Sequence, residues 1–304
     1  MKPPQFQYCA PGILDEALRL LAQCGTDAKV LAGGQSLIPL LNMRLAAPLY
    51  LVDINRVAAL DYIDARESYL AVGATVRQRS VEQSAVVQQR HPLLVEVIKH
   101  IGHMQIRNRG TLAGSIAHAD PAAELPALLS CLDGEVVARS SAGERIIKAE
   151  QFFTTYLTTA LDAQEIVTEI RFPWLLPQAG WACIEFSRRA GDYALAGAIA
   201  VVLPTHEGTC LSARISYFGI SATPVRGYEI EQMLAGTTLD DAVLQAAAQA
   251  AERLVDAELN DIHATPAYRR SLTAEATRRV LRSAWQRCNR FDPRGRISQP
   301  LNDA

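Results

Sequence analysis

The stretch Leu31-Ala32-Gly33-Gly34-Gln35-Ser36-Leu37 joins two short apolar segments of different character. Before it, Lys29-Val30-Leu31-Ala32 reads as a strand; after it, Leu37 to Leu45 reads as a short helix started or interrupted by Pro39. Small residues placed after a strand let backbone N–H groups approach an anion. A glycine pair also serves a purely structural tight turn, and the turn alone leaves both readings open. Ahead of it, Leu14, Ala17, Leu18 and Leu21 recur at helical spacing after Pro11, with Gly25 placed to end that helix. Behind it, Tyr50 to Ile54 follows Pro48 as a second strand. The order is therefore helix, strand, tight loop, helix, strand.

Further along, Tyr69 to Ala74 reads as a strand. Val81 to His103 is long enough for one or two helices, broken at His91-Pro92 because proline disfavours helix at the residue before it. Ala122 to Leu132 is expected to be helical, Gly134 to Arg139 and Glu144 to Ile147 to form a hairpin, Phe152 to Leu161 a helix, and Glu165 to Phe172 a strand stopped by Pro173. The run Pro173 to Gly180, punctuated by proline and glycine, is a connector. After it come three expected strands, Ala182 to Arg188, Ala196 to Leu203 and Leu211 to Ile220, then helices over Val225 to Leu234, Leu239 to Leu254 and Pro266 to Cys288, and an irregular tail beyond Phe291. Strands followed by helices give an α+β class. The expected division is a first domain over 1–175, with subdomains of about 1–55 and 56–175, and a second over 176–304.

Composition narrows the function. In 304 residues, 30 basic side chains face 32 acidic ones, so no global attraction draws the chain to nucleic acid or anionic lipid. The longest strongly apolar run, Ala194 to Leu203, is too short to span a bilayer, and the first residues lack the apolar core of a signal peptide, so the expected location is the cytoplasm. Six cysteines (Cys9, Cys24, Cys131, Cys183, Cys210 and Cys288) include no CxxC pair, which argues against a zinc or close-spaced iron–sulfur site and for free, mostly buried thiols. Neither GxGxxG nor GxxxxGK[ST] occurs.

A second glycine-bearing segment runs Arg107-Asn108-Arg109-Gly110-Thr111-Leu112-Ala113-Gly114-Ser115 and continues through His118-Ala119-Asp120-Pro121 to Glu124. Arginines beside a Gly/Ser/Thr turn suit a phosphate, and a carboxylate suits a sugar hydroxyl; a solvated loop with capping residues is the plainer alternative. Two such loops in one domain favour a bound dinucleotide. His100 and His103, three apart on an expected helix, form a weak metal pair with no further ligand set. Asp192-Tyr193 reads as an acid pair or, more economically, as a packed aromatic. Arg269-Arg270 and Arg278-Arg279 on the last helix read as a solvated face or a docking surface.

Together these residues resemble a family. Ala32 to Pro39, with Asn42-Met43-Arg44 and Leu51-Val52-Asp53-Ile54-Asn55 after it, is similar to the first flavin loop of the FAD-binding medium subunits of molybdenum hydroxylases, the group of carbon monoxide and xanthine dehydrogenases. The segment from Arg107 to Thr111 through Ala119 to Leu125 resembles the second flavin loop, and Phe186 to Ala194 a third family segment. The resemblance covers nearly the whole chain. It implies a vanillyl-alcohol-oxidase-type FAD-binding domain in two subdomains, followed by a C-terminal domain of antiparallel sheet and helices. On this resemblance Leu31, Ala32, Gly33, Gly34, Gln35, Ser36 and Leu37, with Thr111, Ala113, Gly114 and Ser115, surround the FAD diphosphate. His118 and Glu124 lie towards the adenosine half, Val167 towards the adenine, and Tyr193 shields the isoalloxazine ring. Ala113 stands where the family has glycine, so its methyl needs a backbone conformation open to alanine.

The resemblance further implies an electron-transfer subunit that binds no metal itself. Electrons would come from a molybdopterin large subunit through a [2Fe-2S] small subunit and pass to an external acceptor: NAD, a quinone, a carrier protein or oxygen. The cofactor carries the chemistry and the protein supplies position and polarity, so no catalytic side chain is expected. A free-standing FAD-dependent oxidoreductase and a flavin-free assembly protein of the same fold are the alternatives.

Overall fold

The computed structural model describes residues 2–288. The chain separates at Trp174/Leu175 into two compact units. The first unit opens with β1 (Gln7–Cys9), α1 (Leu14–Cys24), β2 (Ala28–Leu31), α2 (Leu37–Asn42) and β3 (Tyr50–Asp53). The three strands form a parallel sheet in the order β1-β3-β2, with Leu31 level with Asp53. Ala17, Leu18 and Leu21, one stripe of α1, are buried, and α1 packs on β3. Parallel pairing brings the carboxyl ends of β2 and β3 to one edge, the edge where ligands of such sheets lie.

The rest of the first unit is built on β4 (Ile63–Ala65) and β5 (Tyr69–Gly73), six short helices, α3 (Gln78–Gln83), α4 (Ala85–Arg90), α5 (Pro92–His100), α6 (Met104–Arg109), α7 (Leu112–His118) and α8 (Glu124–Cys131), then β6 (Glu135–Ser140), β7 (Gly143–Lys148), α9 (Ala149–Phe152), β8 (Phe153–Thr155), β9 (Thr158–Thr159) and β10 (Ile166–Pro173). An antiparallel sheet runs β4-β5-β10-β6-β7. Helix α7 packs on β5 and β10, and α5 on α8. Leu93, Leu94, Val97 and Ile98 of α5 are fully buried, each worth about 1.5–3 kcal/mol of transfer free energy.

The second unit comprises β11 (Gly180–Ser187), β12 (Ala194–Pro204), β13 (Cys210–Phe218), β14 (Val225–Arg226), α10 (Tyr228–Leu234), α11 (Asp241–Glu252) and α12 (Pro266–Cys288). Its four strands pair antiparallel in chain order. The apolar run of the sequence is the central strand β12. Ala196, Ala198, Ala200 and Val202 share one core with Ala276, Val280 and Ala284 of α12, small side chains that let the helix lie close to the sheet.

Several expectations need correction. Phe152 to Leu161 is not a helix: one turn ends at Phe152 and a hairpin, β8–β9, follows, turning at Leu157 with φ of 50°. Its β-branched threonines, Thr154, Thr155, Thr158 and Thr159, favour the extended form. Arg107 to Ser115, read as a glycine-bearing turn, instead spans the end of α6, the two joining residues Gly110 and Thr111, and the start of α7. Val225 and Arg226, placed in a helix, form β14 against β13, and the helix starts at Tyr228. His100 ends α5 and His103 precedes α6, with a turn at Gly102 between them, so they share no helix. β1 and β4 were not expected. The tail beyond Phe291 lies outside the described residues. All six cysteines are free thiols, four of them buried. No helix among the described residues is long and apolar enough to cross a membrane.

Candidate functional site

The glycine turn leaves β2 at the carboxyl edge of the parallel sheet. Gly34 has φ of 74°, a left-handed conformation that glycine adopts without strain. Gly33 is buried against the second segment: a Cβ there would stand 2.6 Å from the Arg109 carbonyl oxygen and 2.8 Å from the Thr111 nitrogen. The two glycine-bearing segments are thus in direct backbone contact, between Gly33 and Arg109, residues far apart in the chain.

A cleft of about 440 Å³ opens beside this contact, lined by Leu31 to Gln35, by Ile38, Pro39 and Asn42 of α2, by Asp53 and Asn55, and by Arg109. Among the described residues, the backbone N–H groups of Gly33, Gly34, Gln35 and Ser36 donate to no protein acceptor; the first donation after the turn is from Ile38 to Gly34 O, 3.0 Å. The Arg109 side chain is exposed and has no hydrogen-bond or ion-pair partner among the described residues. Open amides and an uncompensated guanidinium on one cleft form a receptor for a bound anion.

The second segment is arranged differently. Thr111 caps α7: its Oγ1 accepts from Gly114 N at 3.0 Å, and its carbonyl accepts from Ser115 N at 3.2 Å. Thr111 and Ala113 are buried, and Ala113 sits in the first turn of α7, where helical backbone suits alanine. Gly114 and Ser115 are partly exposed.

Of the expected residues, Leu31 to Gln35 line this cleft, whereas Ser36, Leu37, Thr111, Ala113, Gly114, Ser115, His118, Glu124, Val167 and Tyr193 do not. His118 ends α7, with its pKa lowered by burial against the opposing pull of Asp120. Glu124 begins α8 and is buried. Desolvation pushes its carboxyl up to about 7; its own backbone N–H opposes the rise and the Asp120 charge adds to it. Val167 is buried on β10, opposite Ala138, where the strand has an irregularity. Tyr193 belongs to the second unit, between β11 and β12, and is 69% exposed.

Sequence reasoning missed a polar chain at the cleft. Tyr8 Oη donates to Asp53 Oδ2 at 2.6 Å, and Asn55 N donates to Asp53 Oδ1 at 2.8 Å. Asn55 Nδ2 donates to Ala32 O at 2.8 Å, and Asn55 Oδ1 accepts from Arg77 Nη2 at 2.6 Å. Arg77 Nη1 donates to Arg109 O at 2.7 Å. Asp53 and Asn55 had a signal, two polar residues ending a strand parallel to the one before the turn; Arg77 had none.

With this geometry established, known proteins supply the context. The family described as the FAD binding domain in molybdopterin dehydrogenase matches residues 4–175, and the carbon monoxide dehydrogenase flavoprotein C-terminal domain matches residues 181–284. The chain is 42% identical to the 6-hydroxypseudooxynicotine dehydrogenase complex subunit alpha of Paenarthrobacter nicotinovorans, over 94% of this chain and 97% of that protein. It is 37% identical to the carbon monoxide dehydrogenase medium chain of Hydrogenophaga pseudoflava, over 95% of this chain and all of that one. A solved structure of carbon monoxide dehydrogenase from that organism superposes with a TM-score of 0.92, at 37% identity and covering 95% of this chain and all of the matched one. Quinoline 2-oxidoreductase from Pseudomonas putida 86 gives 0.89, at 37% identity over 94% of this chain and 99% of the matched one. Matched over more than half its length by the flavin domain and end to end by its relatives, the chain belongs to the FAD-binding medium subunits of the molybdenum hydroxylases, an oxidoreductase family.

Proposed function

We propose that this chain is the flavin subunit of a molybdenum-containing dehydrogenase, taking electrons from a [2Fe-2S] partner subunit, itself fed by a molybdopterin subunit, and passing them to an external acceptor. The carrying observation is the row of four consecutive unclaimed amides, Gly33 to Ser36, the first three on residues that line a cleft also lined by Arg109, whose side chain has no partner among the described residues. That donor set fits a diphosphate, the group that FAD presents midway along its length. When bound, FAD supplies the redox chemistry.

On this reading Leu31 to Leu37 hold the diphosphate from one side, and Thr111, Ala113, Gly114 and Ser115 support it from the other. Thr111 does so indirectly, by fixing the start of α7 through its cap. His118 and Glu124 take the adenosine half, Glu124 as acceptor for a ribose hydroxyl, and Val167 offers an apolar face to the adenine. Tyr193 is assigned to the isoalloxazine. On this reading no side chain is assigned a role as nucleophile or metal ligand.

The relatives' names span carbon monoxide, caffeine and nicotine derivatives at similar identity to this chain. This spread supports a substrate pocket on another subunit. The test is to isolate the protein from its native cell and record metals and spectrum together. Co-purification with molybdenum- and iron-bearing chains, with flavin bands at about 370 and 450 nm, is expected. Isolation alone as an active flavoprotein would overturn the subunit assignment, and no bands after incubation with FAD would overturn flavin binding.

A further inference from the structure

We infer that Arg77 and Asn55 form a latch that holds the two flavin loops at a fixed separation, making them positioning residues for the FAD diphosphate; this rests on the reading of the cleft given above. The backbone around Arg77 is stitched to the second loop on both sides. Gln78 N donates to Gly110 O at 2.9 Å, Leu112 N donates to Val76 O at 3.2 Å, and Arg77 itself bridges to Thr111. Its side chain then crosses to the first loop. Nη1 donates to the Arg109 carbonyl and Nη2 to Asn55 Oδ1, while Asn55 Nδ2 donates to the Ala32 carbonyl. Ala32 immediately precedes Gly33, the first of the open amides. A continuous path of 2.6 to 2.8 Å hydrogen bonds therefore links the carbonyl before the amide row to the carbonyl of Arg109, a residue lining the same cleft.

The chemistry of the two residues explains why they suit the task. A guanidinium offers parallel donors in a rigid fork, so it can hold two acceptors at a set spacing, which a lysine ammonium on a flexible stem does not do. Asn55 is exposed, yet its amide is used at both ends, oxygen to Arg77 and nitrogen to Ala32. An aspartate there would keep the oxygen and lose the donor. Both terminal nitrogens of Arg77, Nη1 and Nη2, are spent on protein oxygens, whereas the Arg109 side chain has no partner among the described residues; Arg77 sets geometry and Arg109 supplies charge.

The experiment uses the full chain stripped of flavin and titrated with FAD by fluorescence, beside thermal melts of the flavin-free protein. Arg77→Met is expected to weaken FAD binding about tenfold, and Arg77→Lys, which keeps the charge, equally. Asn55→Ala is expected to lose a similar factor, and the double variant no more than either single one, because one path is cut in each case. Melting of the Asn55→Ala chain, altered only at an exposed side chain, should stay close to the parent, so this arm stands even where an Arg77 variant folds poorly. Wild-type affinity in Arg77→Lys, or multiplying losses in the double variant, would overturn the latch. Failure of the parent chain itself to bind FAD would overturn the flavin reading instead.

Discussion

A Cβ on Gly33 would stand 2.6 Å from the carbonyl oxygen of Arg109, closer than packed atoms approach. The obstacle is backbone on the second loop, flanked by Gly110 Cα at 2.7 Å and Thr111 N at 2.8 Å, so no side chain can swing aside. Gly33→Ala must therefore push the two loops apart. We expect a loss of about 1–3 kcal/mol in folding stability, the usual cost of overpacking, and at least about tenfold weaker FAD binding. Gly12→Ala, where nothing lies within 4 Å, should leave FAD affinity unchanged. Equal FAD affinity in Gly33→Ala and the parent chain would show that the contact does not shape the site.

Arg109 has a different signature. Its guanidinium is exposed and unpaired among the described residues, and its charge helps to lower the pKa of the half-buried Arg77, after the larger effect of burial. A diphosphate relieves that repulsion. Arg109→Gln should weaken FAD binding by about 1.5–3 kcal/mol, and the difference from the parent should shrink as ionic strength rises. Titrations at two salt concentrations check this. A loss that ignores salt would assign Arg109 a packing role.

How far the sequence could be read depends on range. The Gly33-Gly34 turn was legible because strand, turn and helix are adjacent and each leaves a local pattern; the apolar run at Ala194 to Leu203 announced a buried strand by continuity. What escaped depends on contacts between distant segments. Arg77 and Ala32 meet only through Asn55, and no local spacing encodes that. Residues 153–159 were misread because a short threonine-rich hairpin leaves too few apolar positions to reveal its period. Thr111, read as part of a ligand loop, spends its side chain capping α7, which a Gly/Ser/Thr-rich stretch does not distinguish from an open turn.

Glu124 and His91 should give opposite pH limbs to the stability of the flavin-free chain. Glu124, pushed from an ordinary 4.5 up to about 7 by desolvation, binds its proton more tightly folded than unfolded, so its contribution is complete below about 4.5 and is lost as pH rises through 7. His91, fully buried beside Phe172 and Trp174, is depressed from 6.5 to about 4 by desolvation, so its contribution is present above 6.5 and is lost as pH falls towards 4. Each limb is worth up to roughly 3 kcal/mol, and between about pH 4.5 and 6.5 they offset one another. Denaturant melts of the parent should be nearly flat there. Glu124→Gln should leave stability rising with pH and His91→Leu should leave it falling; parallel slopes in both variants would contradict the assignment. If Glu124 accepts from a ribose hydroxyl, FAD binding must also favour its ionised form, so affinity should increase as pH rises through 7 in the parent and not in Glu124→Gln.

Arg269 corrects the expectation of a solvated arginine face on α12. It is 4% exposed; its Nη1 donates to the carbonyls of Leu195 and of Gly219, the latter at 2.8 Å, and its Nη2 to Asp261 Oδ2 at 2.6 Å. The helical phase carried the sign: Arg269, Thr273, Ala276, Val280 and Ala284 fall at spacings of three and four, so the arginine shares the core stripe, whereas Arg270 is one step off it. Arg278 and Arg279 behave as expected of a surface, both paired with Glu275 at 2.7 and 2.5 Å. Removing the Arg269 guanidinium strands two buried carbonyls, at about 1–3 kcal/mol each, while Asp261 keeps contact with water. Arg269→Met should therefore cost roughly 3 kcal/mol in denaturant unfolding of the full chain, and Arg270→Met less than about 0.5 kcal/mol. Asp261→Asn should fall between them, since both carbonyls keep their donor and only the charged partner is lost. Equal costs at Arg269 and Arg270 would mean that the buried guanidinium is not what fixes the start of β12 to the helix.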